Sequence, residues 1–318
     1  MHILLDTNIW RYIVDHDALG VIQQAARKSG HKIVVAPAVI YEALRTGNPG
    51  LRARMVSAMT LPCWKRLMPD AFSEAEEIKA EIIRLQPEWL RVSKDLAMYR
   101  RLRYDWKRSH GGFWDRARYD TEQESQRVAI PPLLEAARIS ARANREVALS
   151  CPAPNKDTKL SAVLAIPAQP TPGWDGAPVQ LWRIEALLSF EQALSVPGHP
   201  YVDWLEGDIN LTMMSLQRQE QARFWLYDVD PVRMPRHWLR SAFSFQQQFH
   251  KITDGTPCDC QLGTYLVDVH LMLSADKNFV RFAERCRCEA PFFVGRSGVV
   301  PGGGAAIDAL LTELANPI

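Results

Sequence analysis

Residues 2–8 read HILLDTN, an apolar run followed by an acid and two polar residues. The apolar run from His2 to Leu5 stops at Asp6, which is the pattern of a short buried strand that meets a polar loop. Residues 9–28 then carry apolar side chains at helical spacing, and KIVVAP at 32–37 is a second, β-branched strand. Strand, helix and strand in this order predict a right-handed parallel βαβ unit.

The same order of elements returns near the C-terminus. DCQLGTYLV at 259–267 has a helical pattern, and VHLMLSAD at 269–276 is a strand that again ends in an acid. NFVRFAERC at 278–286 is an amphipathic helix, and PFFVG at 291–295 is predicted as the final strand. The tail at 299–315 is predicted as a glycine-rich turn followed by a short helix.

The residues between these halves, 84–245, differ in character. They hold most of the tryptophans and are predicted to form several helices, for example over 131–149, 179–194 and 202–226. The simplest architecture is one α/β domain formed by 1–83 and 246–318, with 84–245 as a largely helical insertion.

The composition is that of an ordinary globular protein, with 47% hydrophobic and 23% charged residues and a net charge of +2. This charge neither requires nor excludes a nucleic-acid partner. The N-terminal MHILLDTN lacks the cationic region of a secretory signal, and no apolar run is long enough to span a bilayer. We therefore expect a soluble cytoplasmic protein with no membrane partner, whose six cysteines remain mostly thiols.

Four acidic residues occupy related places in this pattern. Asp6 and Asp276 each follow a strand, whereas Glu42 and Asp259 are expected in early turns of the flanking helices. Open parallel sheets bind ligands beyond the carboxyl ends of their strands, so the four carboxylates are expected in one crevice. Carboxylates this close are stable as anions only around a cation, and hard oxygen ligands suit Mg²⁺ or Mn²⁺. One or two such ions would support phosphodiester hydrolysis.

A simpler explanation competes for each acid taken alone. Asp and Glu are favoured in the first turns of helices, where they cap free amide groups. Capping suits Asp259 better than metal binding does, and it suits Glu42 equally well. Acids at two strand ends as well as two helix starts are harder to explain as caps, and the residues by themselves leave both explanations open.

These stretches carry a family resemblance. LLDTNIW at 4–10 resembles the first motif of PIN domains, in which the Asp is a metal ligand and the following Thr and Asn orient it. VIYEALR at 39–45 resembles the second motif, with Glu42 as its acid. DCQLGTYLVDVHLMLSADKNF at 259–279 is similar to the paired third and fourth motifs, and Ser274 matches the small hydroxyl residue usually found two places before the last Asp.

The resemblance covers roughly 1–83 and 246–298. It implies a three-layer α/β/α sandwich with a mostly parallel central sheet, and a Mg²⁺- or Mn²⁺-dependent endoribonuclease acting on single-stranded RNA. Many bacterial members are toxins held inactive by an antitoxin, and paired protomers are common. The resemblance therefore suggests an antitoxin, another protein partner or a second copy of the chain, although small toxin members lack the insertion over 84–245.

Within this site, Asp6 and Asp259 are expected as metal ligands, with Asp276 completing the set directly or through water. Glu42 is expected either to bind a metal or to position the attacking water. All four residues are therefore candidate catalytic residues.

Two neighbours are expected to orient these carboxylates by hydrogen bonds, namely Asn8 and Ser274. For Asn8, an ordinary helix N-cap is an equal alternative. Asp254, in the turn TDGTP, is interpreted as a turn residue rather than a member of the site.

The densest basic stretch runs from Tyr99 to Tyr119. Its predicted phosphate contacts are Arg100, Arg101, Arg103, Lys107 and Arg108. Its aromatic residues Tyr104, Trp106 and Trp114 are candidates for stacking on unpaired bases. Arginine and aromatic residues also mark protein interfaces, and Trp106 or Trp114 could belong to the core.

Two other functions remain open. One is a catalytically inactive PIN-like module that uses the insertion to bind a partner. The other is a structure-specific DNA nuclease, since related folds cut flap substrates. The presence of all four acids favours an active enzyme over the inactive module.

Overall fold

The computed structural model describes residues 1–108, 110–128, 131–165, 175–196, 199–251 and 256–315. The chain divides into two compact units. Unit 1 comprises Met1–Pro69, Asp105–Ser140 and Thr253–Ile318, and unit 2 comprises Asp70–Tyr104 and Ala141–Ile252.

The strands are short, with two to four residues each. They are β1 (His2–Leu5), β2 (Lys32–Val35), β3 (Lys65–Arg66), β4 (Leu164–Ala165), β5 (Val179–Gln180), β6 (Leu271–Ser274) and β7 (Arg296–Val299). Unit 1 holds a five-stranded sheet in the order β3-β2-β1-β6-β7, in which every neighbouring pair is parallel. The α/β class with a parallel central sheet, predicted from the sequence, is thereby confirmed. In unit 2, β4 and β5 form an antiparallel pair.

Helices account for most of the remaining structure. They are α1 (Thr7–Asp15), α2 (Leu19–Lys28), α3 (Pro37–Leu44), α4 (Pro49–Met59), α5 (Asp70–Leu85), α6 (Ala97–Lys107), α7 (Phe113–Tyr119), α8 (Thr121–Val128), α9 (Pro131–Ser150), α10 (Leu181–Ser195), α11 (Pro200–Leu205), α12 (Leu211–Leu216), α13 (Arg218–Arg223), α14 (Pro235–Gln247), α15 (Thr256–Gly263), α16 (Lys277–Glu289) and α17 (Ala305–Ala315). Among the described residues, no helix is both long and apolar enough to cross a lipid bilayer.

The central strands explain the uninterrupted apolar runs of the sequence. Ile3, Leu4 and Leu5 of β1 are fully buried, as are the apolar residues of the neighbouring β2 and β6. A parallel strand covered on both faces needs apolar side chains at successive positions rather than at alternate ones. The sheet therefore forms the core of unit 1, and the polar residues that follow its strands mark its carboxyl edge.

The long helix predicted over 9–28 is wrong in one respect, because two helices replace it. Helix α1 ends at Asp15 and α2 begins at Leu19. Between them Asp17 adopts a φ of 48°, a left-handed conformation that interrupts a right-handed helix. Apolar spacing continues through the break, so periodicity alone does not reveal it.

The final strand is also displaced from its predicted place at 291–295. Strand β7 is Arg296–Val299, and Phe293 of the predicted strand is exposed. At Gly295 an added Cβ would lie 2.4 Å from the carbonyl oxygen of Val269, so the chain passes too close to its neighbour for any side chain there. The apolar PFF run thus precedes the sheet instead of joining it.

The stretch 202–226, predicted as helical, contains several short helices rather than one. Helices α11, α12 and α13 are followed by a π-helical turn at Phe224–Asp228. The Asn210 side chain accepts a hydrogen bond from the Met213 amide and so caps α12. A capping residue within an apolar pattern restarts the helix, which the periodicity does not show.

The borders of the compact units differ from the predicted borders at 84 and 245. Residues 105–140, predicted as part of the insertion, belong to unit 1, whereas 70–83 belong to unit 2. Helix α8 attaches part of 105–140 to unit 1. The Ser125 hydroxyl donates a 2.7 Å hydrogen bond to the carbonyl oxygen of Leu44, and Glu122 forms an ion pair with Arg52. Whether 1–83 and 246–318 fold as one domain stays a prediction.

Unit 2 contains a row of acids on α5 that is neutralised by arginines. Asp70, Glu74, Glu77 and Glu81 are buried and lie at spacings of three or four residues on one helix face. Their ion-pair partners are Arg84, Arg236 and Arg240, at 2.5 to 2.8 Å, and Arg233, which lies 3.9 Å from Glu81. Buried carboxylates are tolerated only when paired in this way, so the row holds α14 on α5.

Candidate active site

Asp6 lies at the carboxyl end of β1, where the sheet meets α1. Its side chain is buried and caps α1, because the Thr7 amide donates a 2.7 Å hydrogen bond to Oδ1. The next strand in the sheet is β6, with Leu5 paired to Leu273. Asp6 therefore stands beside the carboxyl end of a strand that is remote in sequence.

Two side chains bind the second oxygen of Asp6. The Ser274 hydroxyl donates a 2.5 Å hydrogen bond to Oδ2, and the Asn8 amide donates one of 2.7 Å to the same oxygen. The side-chain oxygen of Asn8, Oδ1, in turn accepts a hydrogen bond from the Ala275 backbone amide at 3.0 Å. Asn8 is therefore not a helix N-cap, and with Ser274 it joins the ends of β1 and β6 around the carboxylate.

Asp276 is the N-cap of α16. Its Oδ1 accepts hydrogen bonds from the amides of Asn278 at 2.7 Å and Phe279 at 3.2 Å. Its own amide donates to Ser274 Oγ at 2.9 Å. Ser274 thus contacts both Asp6 and Asp276, and the two strand-end acids share one hydroxyl group.

Glu42 occupies a different position in its helix from the predicted one. It lies in the last turn of α3 rather than an early turn, so it cannot cap the helix N-terminus. The Thr7 hydroxyl donates a 2.6 Å hydrogen bond to Glu42 Oε2. An acid near a helix C-terminus opposes the helix dipole, so helix capping does not account for Glu42.

Asp6 and Glu42 interact electrostatically. Burial raises the pKa of Asp6 to about 6 and the Glu42 carboxylate adds to this rise, whereas the hydrogen bonds from Ser274, Thr7 and Asn8 lower it. The hydrogen bonds favour the anion, but they do not outweigh burial and the neighbouring negative charge. The pair is therefore a place where a cation would be stabilising.

Asp259 lies in the first turn of α15, as predicted. Its neighbour Cys258 accepts a 3.2 Å hydrogen bond from Arg45 Nη1, which ties the start of α15 to the end of α3. Burial raises the pKa of the Cys258 thiol, the Arg45 guanidinium lowers it, and the carboxylates of Glu42 and Asp259 raise it. Both acids are thus close enough to Cys258 to act on its charge.

The acids form a chain of neighbours rather than one tight group. Asp6 couples to Glu42, Glu42 and Asp259 both act on Cys258, and Asp276 meets Asp6 through Ser274. Across the part of the chain that the structure describes, no three His, Cys, Asp or Glu side chains are grouped so that they could hold a metal ion as they stand. Helix capping, the simpler explanation for each acid taken alone, holds for Asp6 and Asp276, the two strand-end acids.

Two contributors to this site were not singled out as such from the sequence. Thr7 was expected only to help orient Asp6, yet its hydroxyl contacts Glu42. Arg45 follows Glu42 by three residues and is the C-cap of α3, a spacing that can bring a cation near an acid. This spacing is the feature of the sequence that could have indicated Arg45 as part of the site.

The predicted nucleic-acid contacts fall into different environments. Arg100, Arg101, Arg103 and Lys107 are exposed on α6. Arg108 is half-buried and forms an ion pair with Asp105 at 3.1 Å. Its charge is therefore partly neutralised within the protein.

Two tryptophans of this stretch, Trp106 and Trp114, pack edge-on in unit 1 with centroids 6.2 Å apart. Trp106 is half-buried, with its ring centroid 4.1 Å from that of Phe113 and 6.5 Å from that of Tyr41 on α3. Trp114 is 1% exposed and belongs to the core. Tyr104, by contrast, is 64% exposed.

Asp254, interpreted as a turn residue, lies outside the described residues. Within the described part of the chain, none of the six cysteines forms a disulfide bond. Compared with models of protein families, with curated proteins and with solved structures, the chain has no significant match.

Proposed function

We propose that the chain is a PIN-like, metal-dependent endoribonuclease that hydrolyses phosphodiester bonds of single-stranded RNA. The observation that carries this proposal is the repelling pair Asp6 and Glu42 at the carboxyl edge of a parallel sheet, with Asp6 oriented by Ser274 and Asn8. A three-layer arrangement of helices around the sheet is part of the same proposal.

The donor set fits a hard divalent cation. Asp6 and Glu42 offer carboxylate oxygens, and their mutual repulsion is relieved by positive charge between them. Mg²⁺ and Mn²⁺ prefer such ligands and retain waters that can be replaced by phosphate oxygens. When bound, one or two such ions would supply an activated water and neutralise charge on the phosphate.

Each acid has a distinct part in this proposal. Asp6 and Asp259 would hold the metal, and Asp276 would complete the set through Oδ2, since its Oδ1 caps α16. Glu42 would bind metal or orient the attacking water through Oε1, because Thr7 holds its Oε2. Ser274 and Asn8 hold Asp6 in one orientation, which keeps its ligand geometry constant during the reaction.

The test is cleavage of a labelled, unstructured RNA by the purified chain with Mg²⁺ or Mn²⁺. We expect cleavage that EDTA stops and that Asp6→Asn abolishes, while circular dichroism shows the variant folded. Cleavage by the folded variant at the wild-type rate would show that Asp6 is not part of the active site.

Two further substrates separate this proposal from its alternatives. A preference for duplex or flap DNA over RNA would favour a structure-specific DNA nuclease. Absence of cleavage together with absence of any Mn²⁺-dependent rise in melting temperature would favour an inactive binding module. A toxin role, an antitoxin and a homodimer rest on the resemblance alone and stay predictions.

A further inference from the structure

Helix α6 has two different faces within unit 2. On the inner face, Tyr99 packs edge-on against Trp204 with centroids 5.6 Å apart, and Lys79 Nζ lies 4.5 Å from the Tyr99 ring centroid. The outer face consists of exposed residues, which we call the α6 basic face: Arg100, Arg101, Arg103 and Tyr104. Packing of the helix thus depends on the inner face, and the arginines are not needed for it.

The arginines of this face differ from those on α5 and α14. Arg84, Arg236 and Arg240 each bind a carboxylate of the α5 row. Of the three arginines on α6, Arg101 donates a hydrogen bond to Met98 Sδ at 3.0 Å. No carboxylate of a described residue lies within ion-pair distance of any of the three. Their charges are therefore not compensated by that part of the chain.

This clustering works against the stability of α6 itself. Arg100 and Arg103 are one turn apart, a spacing at which like charges repel by a few tenths of a kcal/mol. Arg100 also lies in the first turn, where the helix dipole disfavours positive charge. Neither burial nor ion pairing offsets these costs, whereas binding of a polyanion would offset both.

We infer that the α6 basic face binds single-stranded RNA, with the arginines on phosphates and Tyr104 stacked on a base. The choice of RNA rests on the proposed function. Tyr104 is 64% exposed within the cluster, and an aromatic ring can stack on a base only where that base is unpaired. An acidic protein would satisfy the arginines, but it would not require the exposed ring.

The test measures binding apart from cleavage. Affinity for a fluorescein-labelled oligouridylate is measured by anisotropy on the full-length Asp6→Asn protein in EDTA, over a range of KCl concentrations. In this background, Arg100→Ala/Arg101→Ala/Arg103→Ala should bind about tenfold or more weakly at low salt. Loss of three phosphate contacts should also reduce the slope of log affinity against log salt by about 2. If the triple variant does not fold, the single variant Arg103→Glu is compared with the control variant Arg218→Glu.

The matched control is Arg218→Glu, which makes the same charge change at an exposed position on α13 of the same unit. Equal effects of Arg103→Glu and Arg218→Glu would overturn the inference, because only net charge would then matter. Tyr104→Phe should keep the affinity and Tyr104→Ala should lose it by about fivefold or more. Competition by polyglutamate as strong as that by unlabelled RNA, with no effect of Tyr104→Ala, would instead assign the face to an acidic protein.

Because cleavage is absent from this assay, the two proposals fail separately. If the protein cuts no RNA but binds it with the expected pattern, the proposed function fails and the RNA-binding role of the α6 basic face stands. If the protein cuts RNA and the triple variant binds RNA with wild-type affinity, the RNA-binding role of the α6 basic face is overturned and the proposed function stands.

Discussion

Ser274 Oγ donates a 2.5 Å hydrogen bond to Asp6 Oδ2, across 268 positions of sequence. The two residues end adjacent parallel strands, so the bond joins β1 and β6 at their carboxyl edge. It also holds a buried carboxylate whose pKa is raised by its surroundings. One hydroxyl group therefore serves both the sheet and the candidate active site.

The variant Ser274→Ala tests this double role. Hydrogen bonds to charged groups contribute about 1.5–3 kcal/mol, so we expect the free energy of unfolding to fall by about 2 kcal/mol. Loss of the group that orients Asp6 should lower RNA cleavage about 10- to 100-fold. Urea unfolding and initial cleavage rates measure the two effects.

The control for Ser274→Ala is Thr60→Val. Thr60 is equally buried, and its hydroxyl donates to the carbonyl oxygen of Val56 at 2.7 Å. This variant should lose about 1 kcal/mol of stability and keep its activity. Wild-type cleavage by Ser274→Ala would leave Ser274 with a structural role only.

Arg240→Met tests the ion pairs of unit 2. Burial lowers the pKa of Arg240, but the carboxylates of Glu74 and Asp70 raise it more, so the guanidinium stays charged. Without it, the fully buried Glu74 loses its cation, and we expect a loss of about 3 kcal/mol in the free energy of unfolding. Arg218→Met, at an exposed site, should change stability by less than about 0.5 kcal/mol. Similar urea midpoints for the two variants would contradict this prediction.

We expect the carboxyl group of Glu185 to make the free energy of unfolding depend on pH. Burial raises its pKa from 4.5 to about 7, against the opposing hydrogen bond from the Ser241 hydroxyl. The folded protein therefore holds this proton more tightly than the unfolded chain does. The resulting stabilisation is complete below pH 4.5 and is lost as the pH rises through 7, with an upper limit of about 3 kcal/mol.

Glu185→Gln should remove the Glu185 part of this pH dependence, because the amide stays neutral. The part due to Glu74 and Glu77 should remain, since burial raises their pKa values to about 7 and about 8. Urea unfolding at several pH values between 5 and 8 should give a flatter profile than the wild type. Glu191→Gln, at an exposed position of the same helix, should follow the wild-type profile. If the Glu185→Gln profile is as steep as the wild type, other groups cause the decline.

Trp106→Ala separates base stacking from packing. The ring lies against Phe113 with centroids 4.1 Å apart, so we expect a loss of about 2–3 kcal/mol in the free energy of unfolding. RNA affinity of the folded variant should stay within about twofold of wild type, since a packed ring does not exchange its neighbours for a base. A variant of normal stability with tenfold weaker RNA binding would reverse this interpretation.

The two central strands and the acids that follow them could be predicted from the amino-acid sequence. Apolar runs that stop at Asp6 and at Asp276 predict two buried strands with polar carboxyl ends, because a parallel strand covered on both faces must be apolar throughout. The structure has both strands, adjacent and in parallel register. The apolar pattern was sufficient to predict these strands because every residue of a strand that is covered on both faces is buried.

Contacts between segments that are distant in sequence could be identified only in the folded chain. The placement of α8 against α3, the contact of Thr7 with Glu42 and the start of the last strand at Arg296 each depend on a partner that is distant in sequence. Hydrophobic periodicity reports that a face is buried, but not which surface buries it. Hydrogen-bond partners and close approaches such as that at Gly295 are set only when the chain has packed, because they depend on distances between groups far apart along the sequence.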